Sequence, residues 1–135
     1  MKYKIEEIEG IGPTYGATLK AAGIADTETL LSRCAARKGR AELAKETGLD
    51  EARLLKWANM ADLMRISGVG EEYSELLEAA GVDTVKELQH RKADNLAARM
   101  AEVNAAKKLT RVVPAASQVA RWIEQAKSLT PIISY

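Results

Sequence analysis

The sequence is poor in the residues from which disulfide frameworks, metal sites and aromatic cores are built. It has one cysteine, Cys34, and one histidine, His90, and it lacks phenylalanine altogether. One cysteine cannot form an internal disulfide, and a lone histidine with no cysteine near it in the sequence argues against a zinc site. We therefore expect a protein without a metal or cofactor, in a reducing compartment such as the cytoplasm.

The chain also lacks an excess of either charge and a long apolar run. Its 20 basic and 19 acidic residues give a net charge of +1, which is not the strongly basic balance typical of nucleic-acid binders. No apolar run approaches the ~20 residues that span a bilayer. The first residues, MKYKIEEIEG, contain no apolar segment of the kind found in signal peptides. These observations predict no membrane partner.

What the sequence does contain is a segment that occurs twice. Residues 8–24, IEGIGPTYGATLKAAGI, align with residues 66–82, ISGVGEEYSELLEAAGV. Eight of the seventeen aligned positions are identical, where average composition would give roughly one. The identical pairs are Ile8/Ile66, Gly10/Gly68, Gly12/Gly70, Tyr15/Tyr73, Leu19/Leu77, Ala21/Ala79, Ala22/Ala80 and Gly23/Gly81. The sequence therefore predicts two related units, 1–65 and 66–135.

Both units have the apolar spacing of helices. The segment DEARLLKWANMADLMR is predicted to close the first unit and open the second. Thr27 is predicted to cap the helix of TETLLSRCAA, and Gly48 is predicted to end the helix of RAELAKETG. No segment alternates convincingly as a strand. We expect an all-α protein of about nine or ten short helices, packed into one compact domain. The final TPIISY either docks on this domain or frays.

The glycine pairs fit a tight turn between two helices. Each pair brackets one apolar residue that is predicted to be buried between the helices, and glycine can adopt the positive φ that such a turn needs. The positions are Ile5, Ile8, Gly10, Ile11 and Gly12 in the first unit, and Leu63, Ile66, Gly68, Val69 and Gly70 in the second.

This pattern resembles the helix-hairpin-helix motif. The AAGI-DT and AAGV-DT segments that follow resemble the unit found in the C-terminal domain of the bacterial RNA polymerase alpha subunit. Over nearly its whole length the sequence is similar to a bacterial family of tandem helix-hairpin-helix proteins known only as a domain of unknown function. The resemblance implies that hairpin amides bind a DNA phosphate at the start of the second helix, without reading bases.

Carried over to this chain, the phosphate donors would be the backbone of Gly10, Ile11 and Gly12, with Lys20 adding charge. The second hairpin, Gly68 to Gly70, is predicted to be a poor phosphate site because glutamates follow it. Two basic clusters complete the candidate nucleic-acid site. They are Arg37, Lys38 and Arg40 in the first unit, and Lys107, Lys108 and Arg111 in the second.

Two functions remain open at this stage, and neither is enzymatic, since no residue set points to catalysis. The first is a nucleic-acid-binding module that contacts the phosphate backbone of duplex or single-stranded DNA. The second is a protein-interaction or scaffold module, favoured by the near-neutral charge and by the glutamates of the second hairpin. For each local feature a structural interpretation also stands. The hairpins can be tight turns only, and the basic clusters can be ordinary solvated surface.

Overall fold

The computed structural model describes residues 2–135, and this part of the chain is all-α, as predicted. A short 3-10 helix, Ile5–Glu7, precedes eight α-helices and brings the helical elements to nine. The α-helices are α1 (Gly12–Ala21), α2 (Thr27–Cys34), α3 (Arg37–Thr47), α4 (Glu51–Leu63), α5 (Glu71–Ala79), α6 (Val85–Leu88), α7 (Ala93–Lys107) and α8 (Ala116–Lys127). The helices pack into one compact body.

The ends of the helices follow local chemistry. Gly48 ends α3 in the left-handed conformation, with φ of 75°, as predicted from its place after the last apolar turn. The prediction for α2 was wrong by one residue. Its N-cap is Asp26, whose carboxylate accepts the amide of Thr29 at 2.8 Å, while the Thr27 hydroxyl instead accepts the amide of Tyr3.

Two groups of buried apolar side chains fill the molecule. One group runs from Ile5 to Met64 and is lined by α1 to α4, whereas the other runs from Leu63 to Ala126 and is lined by α5 to α8. Helix α4 contributes to both, since Met60 faces the first group and Leu63 faces the second. The division into units 1–65 and 66–135 stays a prediction, and α4 is where the two buried groups meet.

Asp62 links the two groups at this meeting point. Its side chain is 1% exposed; one carboxylate oxygen accepts the amide of Val85, at the start of α6, at 2.8 Å. The other oxygen accepts from the Arg65 guanidinium, also at 2.8 Å. In the first half of the chain the corresponding amide, that of Thr27, instead donates to the backbone carbonyl of Tyr3. For the second half of the chain, the buried Asp62 carboxylate thus takes the place that the Tyr3 carbonyl has in the first, as acceptor for the first amide of the helix.

The C-terminal segment is docked rather than frayed. Ser134 donates its amide to the carbonyl of Ala35 at 2.8 Å, just beyond the end of α2. Arg65 donates to the carbonyl of Thr130 at 2.9 Å, and Ile133 packs against the first apolar group. Residues 130–135, called the tail below, therefore cross from the second half of the chain back onto the first.

Candidate nucleic-acid interface

The two glycine hairpins have nearly the same turn but different helix starts. Gly10 and Gly68 have φ of 90° and 91°, so both adopt the left-handed conformation that the pattern predicts. Ile11 and Val69 are fully buried, again as predicted. The second glycines differ, because Gly12 has φ of 62° whereas Gly70 has φ of −109° and serves as the N-cap of α5.

A tryptophan supports each hairpin. A Cβ placed on Gly10 would lie 3.8 Å from Nε1 of Trp57, and one on Gly68 would lie 3.4 Å from Nε1 of Trp122. Trp57 packs against Tyr15 and Trp122 packs against Tyr73, in each case with ring centroids 5.2 Å apart. Both tyrosines belong to the helix that follows the hairpin. These pairs of a buried tryptophan and a half-buried tyrosine pack beneath the glycine turns and support them.

Acidic side chains crowd the space between the hairpins. Glu9, which directly precedes Gly10, lies against Glu71 at the start of α5. The hydrogen bond that a protonated Glu71 carboxyl donates to Glu9, together with burial and the charges of Glu9 and Glu7, raises the pKa of Glu71. Burial and the Glu9 charge also raise the pKa of Glu75. Sequence reasoning missed Glu9, although its position inside IEGIG was a visible signal. An anion approaching the first hairpin would meet this charge.

Lys20 is not free to neutralise the negative charge of Glu9 and Glu71, because it is already paired with another glutamate. Its ammonium forms an ion pair with Glu6, and both side chains line a groove that also contains Lys4, Glu7 and Glu71. The first hairpin therefore has its predicted backbone conformation, but its predicted lysine already has an anionic partner.

Arg40 lies inside the protein, which the cluster prediction did not anticipate. It is 4% exposed and donates to the carbonyls of Cys34 at 2.9 Å, Ala35 at 3.2 Å and Ser134 at 2.8 Å. We therefore leave Arg40 out of the proposed nucleic-acid surface. The sequence held a signal, since Arg40 precedes the buried Leu43 by three residues and so shares its helix face.

The other predicted bases are exposed, and part of them lies beside the second hairpin. Arg37 and Lys38 are exposed at the start of α3. Lys107, Lys108 and Arg111 are exposed at the end of α7 and in the loop that follows. Arg111 lines a groove with Gly70, Glu71, Glu72 and Tyr73, and the hydroxyl of Tyr73 donates to the carbonyl of Val112 in the same loop.

A second groove lies on the tryptophan side of this hairpin. It is lined by Ser67, Gly68, Gln118, Arg121, Trp122 and Gln125. Gly70 offers no side-chain cap to α5, so the first amides of that helix are left for water or a ligand. The fold thus brings Arg111 and Arg121 into two grooves beside the second hairpin, although the sequence predicts this hairpin to be the poorer phosphate site.

The remaining reactive side chains do not gather into a site. Cys34 is buried, and burial raises the pKa of its thiol to about 11, so the thiolate is disfavoured at neutral pH. Across residues 2–135, no cluster of histidine, cysteine, aspartate and glutamate side chains has the size and arrangement to hold a metal ion. Nor does any helix in this range have the length and apolar character to cross a membrane.

Comparison with known proteins places the chain in a family. The family described as a domain of unknown function, DUF4332, matches residues 9–129. This match covers most of the chain, which therefore belongs to the family. No curated protein and no solved structure matches the chain significantly.

Proposed function

We propose that this protein is a non-enzymatic module that binds the nucleic-acid backbone with little dependence on base sequence. We propose further that its two glycine turns are helix-hairpin-helix motifs, arranged as in the RNA polymerase alpha C-terminal domain that they resemble. The buried, reduced Cys34 fits a cytoplasmic protein. One observation carries the proposal, namely that Arg111 shares a groove with the uncapped start of α5, while Arg121 shares another with Ser67 and Gly68 of the same hairpin.

The chemistry of this position suits a phosphate group better than a base edge. Amides at a helix N-terminus attract an anion through their hydrogen atoms and through the helix dipole. Arginine side chains in the adjoining grooves add charge-assisted hydrogen bonds to phosphate oxygens. Such contacts hold the backbone of a duplex or single strand and carry no sequence information.

The surrounding acids make the expected binding weak. Glu71 and Glu72 stand at the same helix start, and Glu9 stands between the hairpins. We expect micromolar or weaker affinity at physiological salt, with a slope of log affinity against log salt of about −2 to −4, because each phosphate neutralised contributes about −0.9.

The test is a fluorescence-anisotropy titration of duplex and single-stranded oligonucleotides at several salt concentrations. Arg111→Ala and Arg121→Ala should each make the salt slope shallower by about 0.9. Lys45→Ala, at the exposed end of α3, removes the same charge elsewhere and should leave the slope unchanged. Replacing Arg37 and Lys38 by alanine tells whether α3 belongs to the surface. No binding of either oligonucleotide at low salt would refute the proposal.

A protein-interaction module is the second candidate, and an exposed apolar pair favours it. Val112 and Val113 are 66% and 40% exposed, in the loop that Tyr73 holds against α5. Replacing Glu71 and Glu72 by lysine separates the two candidates. The reversal should tighten binding to an oligonucleotide, whereas it should weaken a protein contact that uses these carboxylates.

A further inference from the structure

Two buried polar side chains on the first half of the molecule point at the tail. Arg40, on α3, is 4% exposed, and Asn59, on α4, is 7% exposed. Both complete their hydrogen bonding with tail residues, far away in the sequence. Burying polar groups of this kind costs free energy unless they form hydrogen bonds, so the tail residues supply hydrogen bonds that these two side chains need.

The contacts with the tail involve the main chain of Ser134 and the side chain of Tyr135. Arg40 donates to the carbonyl of Ser134 at 2.8 Å, and the amide of Ser134 donates to the carbonyl of Ala35 at the same distance. Both polar main-chain groups of Ser134 are thus engaged, as they are when an extended peptide pairs with a protein edge. The hydroxyl of Tyr135 then donates to Oδ1 of Asn59 at 3.2 Å.

The Tyr135 hydroxyl stays a donor over the neutral range. Burial, with the charges of Asp83 and Asp62, raises the pKa of this hydroxyl above its ordinary value. The Arg40 guanidinium also lies over the ring, with its central carbon 5.9 Å from the ring centroid. Arg40 and Asn59 therefore contact both the aromatic ring and the hydroxyl of Tyr135, in addition to the main chain of Ser134.

The tail itself covers this surface only lightly. Tyr135 remains 66% exposed and Ile132 remains 39% exposed. Ile133 is the tail residue that packs against the buried apolar group. Little apolar area holds the tail down, so it is able to leave without unfolding the helices beneath it. Its departure would leave one face of the Arg40 guanidinium and the Asn59 carbonyl open to another chain.

We propose that the surface formed by Ala35, Arg40 and Asn59 is a binding site for an extended peptide segment of a partner protein, in which a tyrosine follows the residue held by Arg40. The tail occupies this site within the same molecule and competes with the partner. The inference is independent of nucleic-acid binding, because none of these three residues belongs to the surface around the second hairpin.

A labelled, C-terminally amidated peptide with the sequence LTPIISY, that of residues 129–135, is the probe. It is titrated against the parent chain, the Ser134→Pro variant and the Ser134→Ala variant. Proline removes the amide that donates to Ala35 and so weakens the competing tail, whereas alanine keeps this amide. We expect the peptide to bind the Ser134→Pro variant at least about tenfold more tightly than the other two, because an occupied site lowers the apparent affinity by its free fraction.

A second pair of measurements tests the recognition itself. A peptide with phenylalanine in place of its tyrosine lacks the hydroxyl for Asn59 and should bind the Ser134→Pro chain several-fold more weakly. Asn59→Leu, added to that chain, should remove the difference between the two peptides. Sedimentation at rising protein concentration checks for exchange of tails between copies. A dimer that Ser134→Pro abolishes and Ser134→Ala preserves would also support the site.

The proposal fails if the peptide does not bind the Ser134→Pro chain at millimolar concentration while circular dichroism shows that the chain is folded. It also fails if the tyrosine and phenylalanine peptides bind equally. Either result would make the contacts of Arg40 and Asn59 purely internal.

Discussion

Removing the Asp62 carboxylate is the sharpest test of how the two halves of the molecule are joined. This side chain lies on α4 between the two apolar groups and accepts one hydrogen bond from the amide of Val85 and one from Arg65, each at 2.8 Å. The Asp62→Ala variant removes both bonds, and it leaves the Val85 amide buried without its acceptor.

The expected cost follows from these two contacts. A hydrogen bond that involves a charged group contributes about 1.5–3 kcal/mol, and a buried donor without a partner adds a desolvation penalty of similar size. The side chain of Arg65 is 17% exposed and can turn towards water, so its loss is the smaller one. We expect Asp62→Ala to lower the free energy of unfolding by about 3 kcal/mol.

Urea denaturation followed by circular dichroism measures this change directly. Asp62→Asn keeps one oxygen acceptor and should lose about half as much. The control is Asp94→Ala, which removes an exposed carboxylate from the first turn of α7 and should cost no more than about 1 kcal/mol. A loss below about 1 kcal/mol for Asp62→Ala, with the same dependence on urea as the parent chain, would refute the view that this carboxylate joins the halves.

Three further predictions use single positions and thermal or chemical unfolding. Gly12→Ala places a side chain at φ of 62° and should cost about 1–2 kcal/mol, whereas Gly70→Ala, at φ of −109° with no atom near the new Cβ, should not destabilise; equal losses would contradict this. Lys108 ends α7 at φ of 53°, so Lys108→Gly should stabilise by about 1 kcal/mol and Lys108→Ala should not. The contact with Glu9 raises the pKa of Glu71 in the folded chain. Protonation of Glu71 therefore stabilises the fold fully below the pKa that this carboxyl has in the unfolded chain, and this stabilisation is lost as the pH rises through the folded pKa. Glu71→Gln should therefore gain stability over the parent as the pH rises from about 4 to about 7, and parallel pH curves would contradict this.

Much of the backbone could be predicted because local chemistry decides it. The left-handed Gly10, Gly48 and Gly68 occupy positions where a helix or turn ends, and few other residues adopt such φ values without strain. The buried Ile11 and Val69 follow from the same turns. These features depend on neighbours within a few residues, which the sequence displays directly.

The candidate site was harder to predict because its electrostatics depend on residues that are distant in sequence. Nothing local brings Glu9 next to Glu71, because the two residues belong to different halves of the chain and meet only in the folded molecule. The partner of Arg40 is likewise Ser134, across nearly the whole chain. A count of charged residues treats every charge as exposed and available to a ligand. It therefore assigns to a binding surface residues such as Arg40 and Lys20, which already have partners in the folded protein.

The two hairpins carry their acids on opposite sides of the glycine pair, and this explains why the second one is the better anion site in our proposal. In the first hairpin Glu9 precedes the glycines, while Ser67 stands at the matching position of the second and donates its amide to Gln125. In the second hairpin the acids Glu71 and Glu72 follow the glycines. Packing brings Glu9 and Glu71 to the same junction, so that negative charge collects between the hairpins. In our proposal a phosphate therefore approaches the second hairpin away from Glu9, where Arg111 and Arg121 line the two neighbouring grooves.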